Sequence, residues 1–316
     1  AQIDEQEGAC RRQKAEECAA HQEAVIGPQK GCLQALEERQ DDRVRLAALV
    51  HLSPTRFSHW FVEQTGLQLR SYRKWSRLVV ALRFVSIGNN LTAAAHAAGA
   101  IAIVDACQYV PHNVTDVQAW DADFVMFSGH KMVGPTGVGV LWGREELLEA
   151  MPPFLGGGNM IADVRLDGFT TAELPSKFEA GTPAIVEVIG LGVAVDYLSN
   201  IGMANIRQHE MELTEYALST LNARYGDDIV IHGPRNVEIR GAVLSFAFRD
   251  IHPHDVSQIL DEKNVCVRAG HHCAKPLMKL LGANATARAS FYLYNDQTDA
   301  DALADALDGA SDIFGV

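Results

Sequence analysis

The chain has 316 residues and an acidic composition, with a formal net charge of −13. This length is enough for two ordinary domains, and the negative charge argues against a protein that binds nucleic acid over its whole surface. The six cysteines are scattered without a C-x-x-C pair, which favours reduced thiols in a cytoplasmic protein and predicts no metal site. No apolar run reaches the length of a membrane span, and a signal-peptide pattern is absent.

The first 99 residues are predicted to be helical. Residues 1–29 form a charged, helix-prone leader, and residues 30–99 contain several short helical patterns. Ser53 is the predicted N-cap of one of these helices, Pro54 occupies its first position, and Gly66 ends it. Two helices around such a Ser-Pro turn are typical of a helix-turn-helix unit.

This segment resembles the first helix-turn-helix unit of the arabinose-regulator (AraC) family of DNA-binding proteins. The matching residues are Leu52-Ser53-Pro54-Thr55-Arg56-Phe57-Ser58, Phe61-Val62-Glu63-Gln64-Thr65-Gly66, Tyr72, Arg77-Leu78 and Ala81. Residues 91–99 would begin the family's second unit, but Ala100 leads into a strand pattern instead. Because half of the DNA-reading apparatus is absent, both a DNA-binding face and an ordinary exposed helix stay open for this basic segment.

Residues 100–195 predict strands of an α/β domain. The apolar runs 101–104 and 123–127 are short and bounded by turn residues, which is typical of buried parallel strands. Asp105 follows the first run and Lys131 follows the second. Ligands bind at the carboxyl edge of such sheets, so this lysine is a candidate for a lowered pKa and Schiff-base chemistry. The alternative is a surface lysine in a glycine-rich turn.

Residues 196–316 begin within a helical pattern that runs from Gly190 through Leu221. Beyond this linking helix, strand-like and helical runs alternate, which indicates a smaller α/β domain. The strand-like run covers 242–248, and the helical runs lie near 256–260 and 302–307.

The cysteine at position 273 lies in a cationic loop. Arg268, His271 and His272 precede it, and positive charge of this kind favours the thiolate. Cys273 is therefore the candidate nucleophile. The alternative for a lone cysteine is a small buried apolar side chain, and we expect this of Cys266, which lies in a strand-like run.

From about Ala94 to Val316 the chain resembles a group II cysteine desulfurase, the Suf-type and selenocysteine-lyase branch of the class V aminotransferases. Six motifs carry the resemblance, in the same order: Val104-Asp105-Ala106-Cys107-Gln108, Phe127-Ser128-Gly129-His130-Lys131, Gly156-Gly157-Gly158-Asn159-Met160-Ile161, Phe178-Glu179-Ala180-Gly181-Thr182-Pro183, Arg268-Ala269-Gly270-His271-His272-Cys273-Ala274 and Ala287-Arg288-Ala289-Ser290. The resemblance implies an α/β protein with the type I fold of transferases that depend on pyridoxal 5′-phosphate (PLP). Its truncated large domain covers 100–195, and the linking helix and small C-terminal domain cover 196–316, preceded by the all-α helix-turn-helix-like segment.

The resemblance implies a role for each residue at the carboxyl edge of the sheet. Lys131 would bind the aldehyde of PLP. Asp105 would face the pyridine nitrogen and keep it protonated, which makes the ring an electron sink. Gln108 would hydrogen-bond the phenolic oxygen of the cofactor, and Ser128 and His130 would contact its phosphate.

The remaining motifs imply a substrate and partners. Cys273 would take sulfur from L-cysteine, or selenium from L-selenocysteine, and pass it to a sulfur-acceptor protein of the Suf system for iron–sulfur cluster assembly. Arg288, assisted by Arg268, would bind the substrate carboxylate. Thr182 would reach the phosphate bound by a partner subunit, which implies a homodimer. Cys107 is expected to pack beside the cofactor.

The part of the large domain that precedes residue 94 in desulfurases has no counterpart here. In that family it supplies a glycine–threonine phosphate loop, a histidine that stacks on the pyridine ring and an asparagine near the phenolic oxygen. Family and activity are therefore separate predictions for this chain. The alternative to a desulfurase is a DNA-binding or regulatory protein, or an inactive fusion remnant.

Overall fold

The computed structural model describes residues 43–315 of the chain. The predicted leader, the helical patterns before residue 43, and Cys10, Cys18 and Cys32 lie outside the described residues. The chain divides into two compact units, of which the first extends to Val104 and includes Val117–Phe124. The second comprises Asp105–Asp116 and the chain from Val125 onward, so every predicted site residue belongs to the second unit.

The first unit is helical. Its helices are α1 (Arg43–Leu49), α2 (Pro54–Thr65), α3 (Leu69–Ser86) and α4 (Leu91–Ala97). The Oγ of Ser53 accepts a hydrogen bond from the backbone N–H of Arg56 at 3.3 Å, and Gly66 ends α2 in the left-handed conformation with φ 69°. The predicted start and end of this helix are therefore confirmed.

Helices α1 and α2 pack against each other around a small apolar core. Leu46 and Ala47 of α1 and Phe57 and Phe61 of α2 are its buried members. The ring of Phe61 also meets Tyr72 of α3 edge-to-face, with centroids 5.3 Å apart. Helix α3 has no buried residue, so the buried members of this small core come from α1 and α2.

Helix α4 is tied to the segment that enters the next strand. His96 lies between two carboxylates, with Nε2 3.0 Å from Oδ2 of Asp123 and Nδ1 3.3 Å from Oδ2 of Asp121. Asp123 is buried, and its Oδ2 also accepts a hydrogen bond from the N–H of Ala102 at 2.8 Å. These bonds hold the end of α4 to residues 121–123 within the first unit.

A three-stranded sheet comes next, with the order β1 (Ile103–Asp105), β2 (Phe124–Ser128) and β3 (Gly139–Gly143). The Phe124 N–H donates to the Ala102 carbonyl at 3.1 Å, and the Ala106 N–H donates to the Met126 carbonyl at 2.9 Å. From the first of these hydrogen bonds to the second, the residue number rises along both strands. Strands β1 and β2 are therefore parallel, as predicted. Strand β3 is antiparallel to β2, since its start lies opposite the end of β2.

The expectation that these strands are buried holds only in part. Ile103 is 61% exposed and Met126 is 36% exposed. Phe124, Val125 and Ala106 are buried, so the cover over this part of the sheet is incomplete.

The predicted long linking helix is two helices. Helix α5 (Glu145–Ala150) and the antiparallel hairpin of β4 (Ile161–Arg165) and β5 (Gly168–Thr171) precede them. Helices α6 (Ile185–Ile201) and α7 (Met203–Tyr225) then meet at an angle of 73°. The break falls at Gly202, whose φ of 91° is incompatible with a continuing helix.

In the part of the chain that the structure describes, no single helix is long and apolar enough to cross a membrane; the bent pair α6 and α7 meets that criterion only when both helices are taken together.

A four-stranded antiparallel sheet completes the second unit. Its strands are β6 (Ile229–His232), β7 (Val243–Phe248), β8 (Arg268–Gly270) and β9 (Thr286–Ser290), in the order β6-β7-β9-β8. The accompanying helices are α8 (Pro253–Glu262), α9 (Lys275–Leu280) and α10 (Gln297–Phe314). Leu244, Phe246 and Phe248 alternate inward from β7 and join Leu260 and Leu303 in one core. The strand predicted at 242–248 and the two predicted helices are confirmed.

We expect Gly202→Ala to destabilise the chain by about 1 kcal/mol or more, because its φ is positive. A Cβ atom there would also lie 3.0 Å from Nδ2 of Asn205. Gly192→Ala is the matched control, since Gly192 lies within α6 with open space around it. That control should stabilise by roughly 0.5–1 kcal/mol. Denaturant unfolding measures both, and equal effects would contradict the assigned break.

Candidate active site

The turn Gly129–Lys131 follows β2 and is packed too tightly for additional side chains. At Gly129, Gly134 and Gly139 a Cβ atom would come within 2.9 Å of a neighbouring atom. At the last two positions that neighbour is a backbone carbonyl oxygen, which cannot move without a shift of the chain. Met132 is buried directly after the turn. The half-buried lysine at the end of the turn is therefore held on a fixed backbone.

Asp105 and Lys131 lie close enough for their charges to interact. Hydrogen bonds from Cys107 lower the pKa of Asp105 most, and the positive charge of Lys131 lowers this pKa further. The N–H of Cys107 donates to Oδ1 of Asp105 at 3.1 Å, and Sγ of Cys107 lies 3.6 Å from Oγ of Ser128. The structure therefore brings Asp105 and Lys131 within range of each other's charge, and Cys107 contacts both Asp105 and Ser128.

The other predicted cofactor residues are not joined to this group by described contacts. Gln108 and His130 are exposed. Thr182 is also exposed and lines an open concavity with Gly158, Asn159, Gly181 and Pro183. The N–H of Gly181 donates to the carbonyl of Gly158 at 2.8 Å, so this concavity is built by the glycine-rich turn and the segment before α6.

A second group of predicted residues lies on the other sheet. Arg268 on β8 stands directly opposite Arg288 on β9, and Nη2 of Arg268 donates to Sγ of Cys273 at 3.8 Å. Burial, and then the positive charge of Arg268, lower the pKa of Arg288. The buried Nε of Arg288 has no hydrogen-bond partner in the described part of the chain. Like charges placed opposite each other are unfavourable, so this arrangement is suited to an anion.

The loop that carries Cys273 is strained. His272 and Cys273 have φ of 52° and 59°, a region in which a residue other than glycine costs of order 1 kcal/mol or more. The loop is held by Nε2 of His272, which lies 2.9 Å from Oγ1 and 3.2 Å from the carbonyl oxygen of Thr286. Cys273 is exposed, so its thiol is presented to solvent beside two arginines.

One cysteine prediction is wrong. Cys266 is exposed and lies outside any strand, because β8 begins at Arg268. Its Sγ donates to Oδ1 of Asp261 at 3.9 Å. The apolar neighbours of Cys266 in the sequence suggested a strand, but they belong to the connection that follows α8. Within residues 43–315 no group of three His, Cys, Asp or Glu side chains is arranged to hold a metal ion.

The sequence analysis missed a buried pair in the second unit. Glu210 of α7 is fully buried, and its Oε1 lies 2.6 Å from Nδ1 of His112. A signal was available, because Glu210 occupies the helical stripe of Ile206, Leu213 and Ala217, where an apolar residue is expected. Helical periodicity marks such a position but does not identify the partner across the fold.

Arg268→Gln should stabilise the chain by roughly a few tenths of a kcal/mol, because it relieves the repulsion from Arg288 across the strands. It should also reduce the extra stability that sulfate gives, since an anion would lie between the two guanidinium groups. Denaturant unfolding with and without sulfate measures both effects. Arg235→Gln is the control, because the Arg235 guanidinium reaches Asn222 instead. If Arg268→Gln changes stability and the sulfate effect no more than Arg235→Gln does, the anion site is refuted.

His272 should make the chain less stable as the solution becomes acidic. Burial lowers the pKa of His272 most, and the charge of Arg288 lowers it further. As pH falls through about 6.5, the unfolded chain binds a proton that the folded chain does not, so the free energy of unfolding falls. His272→Gln should flatten this dependence between about pH 7 and about pH 5. Unfolding curves across that range test it, with the exposed neighbour variant His271→Gln retaining the parent's slope.

Comparisons with known proteins agree with the motifs. A probable cysteine desulfurase of Streptomyces coelicolor is 55% identical over 217 residues, which are 69% of this chain and 51% of that protein. The cysteine desulfurase of Haloferax volcanii is 48% identical over 70% of this chain and 51% of its own length. The crystal structure of a cysteine desulfurase from Escherichia coli matches with a TM-score of 0.66 and 41% identity, covering 71% of this chain and 54% of that one.

The predicted resemblance to cysteine desulfurases and the PLP-dependent transferase fold are confirmed by these matches. The chain spans about half the length of the curated relatives it matches. The aminotransferase class-V family model matches residues 85–303, so the match begins within α3 and leaves α1 and α2 outside. Because this family model matches most of the chain, the chain belongs to the class-V aminotransferase family.

Proposed function

We propose that this chain is a PLP-dependent cysteine desulfurase, which converts L-cysteine to L-alanine and retains the sulfur on Cys273. The observation that carries the proposal is the proximity of Asp105 and Lys131 at the ends of two parallel strands. The likeness to named cysteine desulfurases supports the same activity. Because the chain spans about half of those relatives, PLP affinity is the first quantity to measure.

The residues at this sheet edge fit the ring of PLP. A carboxylate with a lowered pKa can accept a hydrogen bond from a protonated pyridine nitrogen, and the amine of Lys131 lies near it. The glycine-packed turn leaves Ser128 at the end of β2, where its hydroxyl can contact a phosphate. When bound, PLP supplies an electron sink for the Cα of an amino acid.

The second group of residues fits the transfer of sulfur. In this proposal Arg288 and Arg268 bind the substrate carboxylate, for which the guanidinium group is well shaped. The thiolate of Cys273 attacks the substrate sulfur, and a sulfur–sulfur bond forms as the carbon–sulfur bond breaks. The electron pair of the broken bond stays with the substrate carbon, which takes up a proton to become the methyl group of alanine. Lys131 is positioned to hold the proton taken from Cα.

Two partners belong to the proposal. An exposed Cys273 is accessible to the thiol of an acceptor protein, which supports delivery of the sulfur to a carrier of the Suf type. The exposed Thr182, in its open concavity, supports a role across a homodimer interface, as the resemblance implies. L-selenocysteine is the alternative substrate, since the same thiol can attack selenium.

A PLP titration of the purified chain tests the proposal. We expect the parent to bind PLP with a visible absorbance change that Lys131→Ala abolishes and Lys279→Ala retains. With a thiol reductant present to reduce the persulfide to sulfide, Cys273→Ala should bind PLP but release alanine and sulfide from L-cysteine at least about a hundredfold more slowly. Cys266→Ala, an exposed cysteine outside the arginine group, should match the parent. Failure of the parent to bind PLP would refute the desulfurase.

The alternative is a DNA-binding or regulatory protein. The packed helices α1 and α2 with their Ser-Pro turn favour it. Its support would be binding to duplex DNA that weakens steeply as salt is added, together with no uptake of PLP. The same purified protein can be used for both measurements, so the two functions are directly distinguished.

A further inference from the structure

Glu210 depends on His112. The carboxylate is fully buried, and the pair is joined at 2.6 Å. Burying a charge costs several kcal/mol unless a close partner offsets it. Within residues 43–315, its other oxygen, Oε2, has no hydrogen-bond partner, and the same is true of the buried Oγ1 of Thr214 one helical turn away. Among the residues that the structure describes, His112 is the hydrogen-bond partner of this acid.

A second set of contacts surrounds the His112–Glu210 pair and involves the segment after β9. The ring of Tyr292 meets His112 edge-to-face with centroids 4.8 Å apart, and its hydroxyl donates to the carbonyl of Pro111 at 2.9 Å. Nε2 of His209 lies 2.9 Å from the carbonyl oxygen of Asn295, whose side-chain oxygen accepts from the Tyr292 N–H at 2.9 Å. Consecutive residues of α7 therefore hold two loops, which we define as 106–116 and 291–296.

Each loop is continuous with part of the candidate active site. Loop 106–116 follows Asp105 directly and contains Cys107, which hydrogen-bonds that carboxylate. Loop 291–296 follows β9, the strand of Arg288. Met132, next to Lys131, shares an apolar cluster with Tyr292. A shift of the loops on α7 would therefore reach the groups at both sheets.

We propose that Glu210 and His112 are positioning residues for PLP binding, acting through loop 106–116 on Asp105. This inference rests on the proposed function, since it concerns the same sheet edge. Neither residue needs to touch the cofactor. The pair fixes the loop so that the Cys107 hydrogen bonds hold Asp105 in the orientation that a pyridine nitrogen requires.

The test compares PLP dissociation constants of four variants in the full chain, below their melting temperatures. His112→Leu and Glu210→Gln should weaken PLP binding by about tenfold, as loss of an orienting partner does at metal sites. His112→Asn should bind within about twofold of the parent, because its amide N–H can replace the donor at Nδ1. Glu215→Gln, an exposed acid on the same helix, is the matched control. A folded His112→Leu that binds PLP like the parent would overturn the proposal.

A second measurement needs no cofactor. Amide hydrogen exchange in the PLP-free chain should be faster across loop 106–116 in His112→Leu than in the parent, and unchanged in β7. His112→Asn should restore the protection, which a general loss of stability would not allow. Equal exchange in this loop would refute the positioning role even if the parent does not bind PLP. If the parent fails to bind PLP but loop 106–116 exchanges faster in His112→Leu, the proposed function is refuted and the positioning role is not.

Discussion

The candidate site depends on the parallel pairing of β1 and β2. Because the two strands run in the same direction, their carboxyl ends meet at one edge and bring Asp105 and Lys131 within range of each other's charge. A shift of register would separate them. The close packing at Gly129, Gly134 and Gly139 excludes larger side chains from the turn, and this turn carries the backbone of Lys131.

Helix α7 connects this edge to the second sheet. Its buried face enters the core with β7, and its His209 and Glu210 hold the loops that follow β1 and β9. The break at Gly202 gives α7 a direction that a continuous helix would not have. Burying an acid on the apolar face of a helix is unfavourable by itself. Its pairing with His112 offsets this cost and links two elements that are distant in sequence.

The cysteine loop shows the opposite arrangement, in which unfavourable features are concentrated. Two arginines face each other across neighbouring strands, and two residues beside them take left-handed backbone conformations. Such features persist where the surrounding structure enforces them, and they are typical of functional sites. Here the antiparallel sheet fixes the arginines, and the His272 contact with Thr286 fixes the loop. An anionic ligand would relieve the repulsion.

The sequence by itself determined the fold family and the ends of α2, and it predicted which residues form the site, because motifs and capping residues are local signals. It did not reveal that Met126 and Ile103 are exposed, that Gly202 divides the linking helix, or that Cys266 lies outside the sheet. Nor did it give the partner of Glu210, which is 98 residues away. Burial and long-range pairing depend on which elements cover one another, and only the tertiary structure decides that.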